Sequence, residues 1–160
     1  MIFVTVGTQK FPFNRLLQAV DQLIETGIIQ EPVIAQCGHS TYVPRNYEAH
    51  MFMDGVQFEK TVQDCDLLIT HSGVGTILKG IALKKKIIVV PRKKSLSEHV
   101  DDHQQEIANE FEKLGCVCVC RQIVDLEKCY RNVQNVCSSE MRLHFSNTAK
   151  FLNNYLNEGK

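Results

Sequence analysis

Apolar positions along the chain fall into two alternating rhythms. Short, continuous β-rich runs stand at IFVTV (2–6), PVIAQ (32–36), HMFM (50–53), DLLIT (66–70), KIIVV (86–90) and CVCVC (116–120). Between them the apolar residues spread out to helical spacing. Phe13, Leu16, Leu17, Val20, Leu23 and Ile24 recur at the roughly 3.6-residue period that lines one helix face, and Gly27 stands where such a helix is capped. The same reading predicts helices over 75–84, over 99–114 ending at Gly115, and over 139–157. In the last of these Met141, Phe145, Ala149, Leu152 and Leu156 form one stripe.

Strands that alternate with helices make βαβ units, joined by right-handed crossovers. The expected fold class is therefore α/β: a Rossmann-like, doubly wound parallel sheet, built as a single domain over 1–160. Uninterrupted apolar runs suit strands buried on both faces. A sheet of this kind locates its ligand before any motif is read, outside the carboxyl ends of the strands. Three loops occupy that edge: GTQKF (7–11), HSGVGT (71–76) and PRKKSLSEHVDDHQ (91–104).

In HSGVGT, Gly73 and Gly75 bare the backbone just before a helix start. Free N–H groups and a dipole equivalent to roughly half a charge favour an anion there, such as a diphosphate. Each charge-assisted bond contributes about 1.5–3 kcal/mol, so a few hold a nucleotide without a metal. The pattern is neither GxGxxG nor GxxxxGK[ST], and a plain tight turn is the alternative. Gly7 and Thr8 repeat the logic with an N–H and a hydroxyl, and Lys10 follows them. The third loop gathers His99, Asp102, His103, Gln104 and Gln105 at a helix start. His99 and His103, four apart, raise a metal site with Asp102, although no HExxH is present. Adjacent side-chain amides, which both donate and accept, suit sugar hydroxyls better.

Eighteen basic and eighteen acidic residues cancel, which removes the positive field that nucleic acid requires. No apolar run reaches the ~20 residues of a membrane span. The start MIFVTVGT carries neither a charged leader nor a cleavage site, so the expected compartment is the cytosol. Seven cysteines, an odd number, read as free thiols. Cys116, Cys118 and Cys120 alternate on one strand and are expected on one sheet face, as buried hydrophobes rather than metal ligands. The basic runs KKK (84–86) and RKK (92–94) flank one strand. They read as solvated faces, or, for the second, as a contact to phosphate or a lipid surface. Phe13 is expected in the core; Phe11, Phe151 and Tyr155 are candidates for a partner surface.

FVTVGTQKFPFNRLL, DLLITHSGVGTILKGIALKKKIIVVPR and EHVDDHQQEIANEFEKLG, in this order, resemble the C-terminal, nucleotide-sugar-binding domain of glycosyltransferase family 28. The likeness covers nearly the whole chain. It is to stand-alone donor-binding subunits of two-component UDP-sugar transferases, of the kind serving dolichol-linked oligosaccharide, bacterial capsule and exopolysaccharide synthesis. The resemblance implies the C-terminal half of a GT-B enzyme. A membrane-anchored partner subunit would supply the acceptor side and a polyprenyl-diphosphate-linked saccharide, and would hold this cytoplasmic chain at the inner face of the membrane.

It further implies inverting, direct transfer of a hexose or N-acetylhexosamine from a UDP-sugar donor, with no metal and no cofactor. Carried over by motif, Gly7, Thr8, His71, Ser72, Gly73, Gly75 and Thr76 would bind the UDP diphosphate. His103, Gln104 and Gln105 would bind the donor sugar. No catalytic base is carried over, because the family's base is expected on the partner. One departure stands out: the ribose-binding glutamate of many members is here Lys79, which only donates. That departure motivates a second reading, a nucleotide-binding scaffold or regulatory protein of the same fold.

Overall fold

A computed structural model describes residues 1–135. Its six strands are β1 (Ile2–Thr5), β2 (Val33–Gln36), β3 (Glu48–His50), β4 (Leu67–Thr70), β5 (Lys86–Val89) and β6 (Cys118–Val119). All pair in parallel, in the order β3-β2-β1-β4-β5-β6. The chain walks outward from β1 to β3, then returns to the other side of β1 for β4. The order thus reverses between β1 and β4, and the loops leaving these two strands diverge and open a crevice. Among the described residues five α-helices cover the sheet: α1 (Asn14–Glu25), α2 (Gly55–Asp64), α3 (Val74–Ala82), α4 (His103–Lys113) and α5 (Leu126–Asn135). The doubly wound α/β fold expected from the sequence is the one found. The predicted helix 139–157, with Phe151 and Tyr155, lies outside the described residues.

Side chains alternate across each strand and build two cores. Ile2, Val4, Leu67, Ile69 and Ile88 face α1 and α5; Phe3, Leu68, Ile87 and Val89 face residues of α2, α3 and α4. Burial of each such side chain contributes about 1.5–3 kcal/mol. Phe13 is wholly buried beside α1, as expected. Gly27 closes that helix at φ +75, with its N–H on Ile24 O and the Ile28 N–H on Leu23 O, a Schellman arrangement. Gly115 ends α4 in the same way, bonding back to Glu112 O.

Several elements depart from the sequence reading. The third strand lies at Glu48–His50 rather than 50–53, and all three of its residues are exposed at the sheet edge. Met51 and Phe52, which drew the reading there, are themselves exposed. Helix α2 was not anticipated; it begins with a capping box between Asp54 and Gln57 and buries only Val62. Helix α5 was also missed. Helix α4 starts at His103 rather than 99, after a 3-10 turn at Lys94–Leu96. Cys118 and Cys120 pack in the α1 core, whereas Cys116 packs in the opposite one. Regular pairing covers only Cys118–Val119, so the strict alternation does not extend to Cys116.

Asp21 on α1 anchors the connection between β2 and β3. Its carboxylate accepts from Tyr42 Oη (2.6 Å), Arg45 N (2.8 Å), Asn46 N (2.9 Å) and Asn46 Nδ2 (2.8 Å). Burial pushes its pKa up, but these bonds outweigh burial and hold it below the ordinary value. Asp21→Ala leaves these donors without acceptors and is expected to destabilise the fold by about 2–4 kcal/mol. Urea unfolding checks this. Among the described residues, no helix is long and apolar enough to cross a membrane.

Candidate functional site

The two loops at the switch point meet through one imidazole. After β1, Val6 still bonds to Gln36 O, and Gly7 then turns at φ +76. After β4, His71 turns inward and Gly73 caps α3. A Cβ on Gly7 would lie 2.5 Å from His71 Cε1, and one on Gly73 would lie 2.5 Å from His71 Nε2. The ring therefore fills the gap between two stretches of bare backbone. Gly38, at the end of β2, approaches Gly7 O as closely: its Cβ would lie 2.5 Å away.

Helix α3 has no side-chain cap, and its first intrahelical bond runs from Ile77 N to Gly73 O at 3.0 Å. The amides of Val74, Gly75 and Thr76 precede that bond and have no intrahelical acceptor. Gly75 answers no demand of the fold: nothing lies within 4 Å of where its Cβ would be. Thr5, Gly7, Thr8, Gln9, His71, Gly73, Gly75 and Thr76 line a cleft of about 470 Å³. Gln36, Met53, Gly55, Phe58, Glu59 and Lys79 form the remainder of its wall. Gln36 is fixed there by accepting from Met53 N (3.1 Å). Ser72 lies buried beside these loops, and its Oγ has no partner.

Electrostatically the cleft is mixed. Burial, then the nearby positive charge of Arg92, lowers the pKa of His71 to about 4, so the ring is neutral near pH 7. It donates or accepts as a neutral group. Lys79 Nζ is bound to Glu59 Oε1 at 2.7 Å and holds that carboxyl below its ordinary pKa. The glutamate missing from position 79 is thus matched by a carboxylate on α2 in the same cleft. Nothing in the sequence marks Glu59, because its partner stands twenty residues away on another helix.

The residues expected to read a sugar sit apart from this wall, at the start of α4. His103 is exposed and pairs with Glu106 at 2.7 Å. Gln104 is buried, and its Oε1 accepts from Arg92 N at 3.1 Å, which leaves its amide N–H groups uncommitted. Gln105 is half-buried. The rival metal reading loses its geometry: His99 pairs with Asp101, Asp102 accepts from Lys94 N, and His103 turns to Glu106. Among the described residues no three His, Cys, Asp or Glu side chains are grouped to hold an ion. Lys84, Lys85 and Lys86 line a recess at the opposite rim, with Asp66 and Glu31. Arg92, read as surface charge, is wholly buried.

The fold and its switch-point cleft define a doubly wound α/β domain. The model described as the glycosyltransferase family 28 C-terminal domain matches residues 1–156, and the chain belongs to that family. It is 30% identical over 129 residues to the human protein named UDP-N-acetylglucosamine transferase subunit ALG13. That match takes in 75% of this chain and 11% of the human protein, so the chain spans about a tenth of that relative. Among solved structures it resembles an NMR structure of ALG13, with a TM-score of 0.53 and 24% identity over 83% of this chain and 84% of that one. It also resembles the glycosyltransferase SnogD from Streptomyces nogalater, with a TM-score of 0.62 and 17% identity over 91% of this chain and 39% of that one. At these identities the two structures speak for the fold alone.

Proposed function

We propose that this chain is the donor-binding part of a UDP-sugar glycosyltransferase, with UDP-N-acetylglucosamine as its donor. The observation that carries the reading is the convergence of Gly7, Thr8, His71, Gly73, Gly75 and Thr76 on one cleft at the sheet's switch point. The diphosphate lies across the free amides of α3 and the Gly7–Thr8 backbone, and charge developing on the leaving UDP is stabilised by fixed donors rather than a metal. Ser72, buried behind the cleft and absent from its lining, is left out of the diphosphate contacts. Gln105, the free amide of Gln104 and His103 meet the sugar from the α4 side. Transfer is inverting, and the base that activates the acceptor comes from a membrane-anchored partner carrying a polyprenyl-linked saccharide. Support for the donor comes from the human relative's name; the relatives lend none to a capsule or exopolysaccharide role.

Calorimetric titration without metal tests this. Saturable heat with UDP and UDP-N-acetylglucosamine, and a weaker response to UDP-galactose and UDP-glucose, is expected; no saturable heat with any of the four overturns the reading. The Lys79–Glu59 pair favours a second reading, a nucleotide-binding scaffold, because it puts an ion pair into the cleft wall. UDP binding without any sugar transfer by the chain and its partner would select it.

A further inference from the structure

Arg92 follows β5 in a stretch that reads as basic surface, yet its side chain is 0% exposed. Its Nη2 donates to Val6 O at 2.6 Å. Its Nη1 donates to Phe11 O at 2.9 Å, Glu98 O at 3.0 Å and, more weakly, Pro12 O at 3.5 Å. The guanidinium lies over the Phe13 ring, 4.8 Å from its centroid. Nε is buried without a partner. The adjacent carboxylate of Glu98 is bound by Arg15, at 2.6 and 3.0 Å, and by Lys93 N at 2.9 Å. Burying a cation is costly unless its donors are answered, and here the answer comes mostly from main-chain oxygens.

Those oxygens are informative. Val6 and Phe11 stand at the two ends of the segment that carries Gly7 and Thr8, while Glu98 belongs to the loop after β5. One planar fork spans all three points; the single ammonium of a lysine does not. We propose that Arg92 is the positioning residue of this cleft: it clamps the Gly7–Thr8 loop at both ends against the β5 loop, and so sets the amides that meet a diphosphate. The proposal rests on the cleft's being a nucleotide site. It also gives the cleft a buried positive charge next to His71, whose ring is also met by the Thr5 carbonyl, by Thr70 Oγ1 at 3.4 Å and by the charge of His99. Glu98 and Arg15 are the charged groups that face Arg92 itself.

Two substitutions in the whole chain, Arg92→Met and Arg92→Lys, separate fork from charge, with UDP calorimetry and NMR titration of the His71 ring as readouts. Arg92→Met is expected to weaken UDP roughly tenfold or more and to raise the His71 midpoint from about 4 toward the ordinary 6.5. Arg92→Lys is expected to weaken UDP while His71 still titrates low. A folded Arg92→Met chain with unchanged UDP affinity and an unchanged His71 midpoint overturns the proposal. Should that variant not fold, wild-type UDP affinity in Arg92→Lys overturns it. Should the wild-type chain bind no UDP, the functional reading fails by itself, and unchanged amide chemical shifts of Gly7 and Thr8 in a folded Arg92→Met chain still reject the clamp.

Discussion

Replacing Gly7 by alanine is expected to abolish UDP binding and to lower the melting temperature by roughly 10 °C. Two effects add. The φ of +76 is left-handed, a region that costs an L-residue about 1–2 kcal/mol. The new methyl would also meet the His71 ring at 2.5 Å, and overpacking of that kind costs about 1–3 kcal/mol. Gly73→Ala meets the same ring from the other side, but its φ of −73 suits any residue. Its stability loss is therefore smaller, while UDP binding is still lost because His71 is displaced. Gly75→Ala is the control that separates fold from ligand. Its methyl touches nothing, and alanine in a helix is favoured over glycine by up to ~1 kcal/mol. That variant is expected to keep or gain stability yet to bind UDP more weakly, because on the proposed reading only the ligand approaches the bare backbone there. Thermal melts and calorimetry on the three variants decide the matter; unimpaired UDP binding in all three removes the diphosphate from this cleft.

Acid is expected to weaken the fold by about 3 kcal/mol through His71 alone. In the unfolded chain the imidazole titrates near 6.5; in the fold, burial and then Arg92 hold it near 4. The unfolded state thus binds more protons between these values, and stability falls as pH drops through the window. Above pH 6.5 both states are neutral and the contribution is complete; below 4 it is gone. The magnitude follows from 1.36 kcal/mol for each tenfold difference in proton affinity. Urea unfolding of wild type and His71→Gln from pH 7.5 to 3.5 isolates the effect, since carboxylates contribute alike to both. Parallel curves for the two proteins would show that His71 titrates normally.

The central strands were legible because burial on both faces writes them as continuous apolar runs, and α1 because its buried stripe is strictly periodic. Helix α2 was not, because it fully buries only Val62 and half-buries Phe58; its mark was the pairing of Asp54 with Gln57, a polar signal rather than an apolar one. The shift of β3 has the opposite cause: an edge strand with three exposed residues has no apolar signature, while its exposed neighbours Met51 and Phe52 imitate one. Glycines before a helix were readable, because bared backbone is local chemistry. The burial of Arg92 was not, since its acceptors Val6 O and Phe11 O stand 86 and 81 residues earlier in the chain, and RKK in isolation looks like any solvated basic run. Gln104 fell between the two: its place at a helix start was legible, but that one side of its amide accepts from Arg92 N was not.

Strands β1 and β4 are the inner pair of the sheet, each paired on both sides, and the cleft begins at the last residue of one and one residue beyond the other. Ordering a residue's backbone costs about 1–2 kcal/mol of conformational entropy. For Gly7, His71 and Gly73 that ordering is completed when the sheet forms, under the constraint of the fixed imidazole between them. On the proposed reading, a nucleotide arriving later finds its amides already aimed, and little of its binding free energy is spent on arranging them.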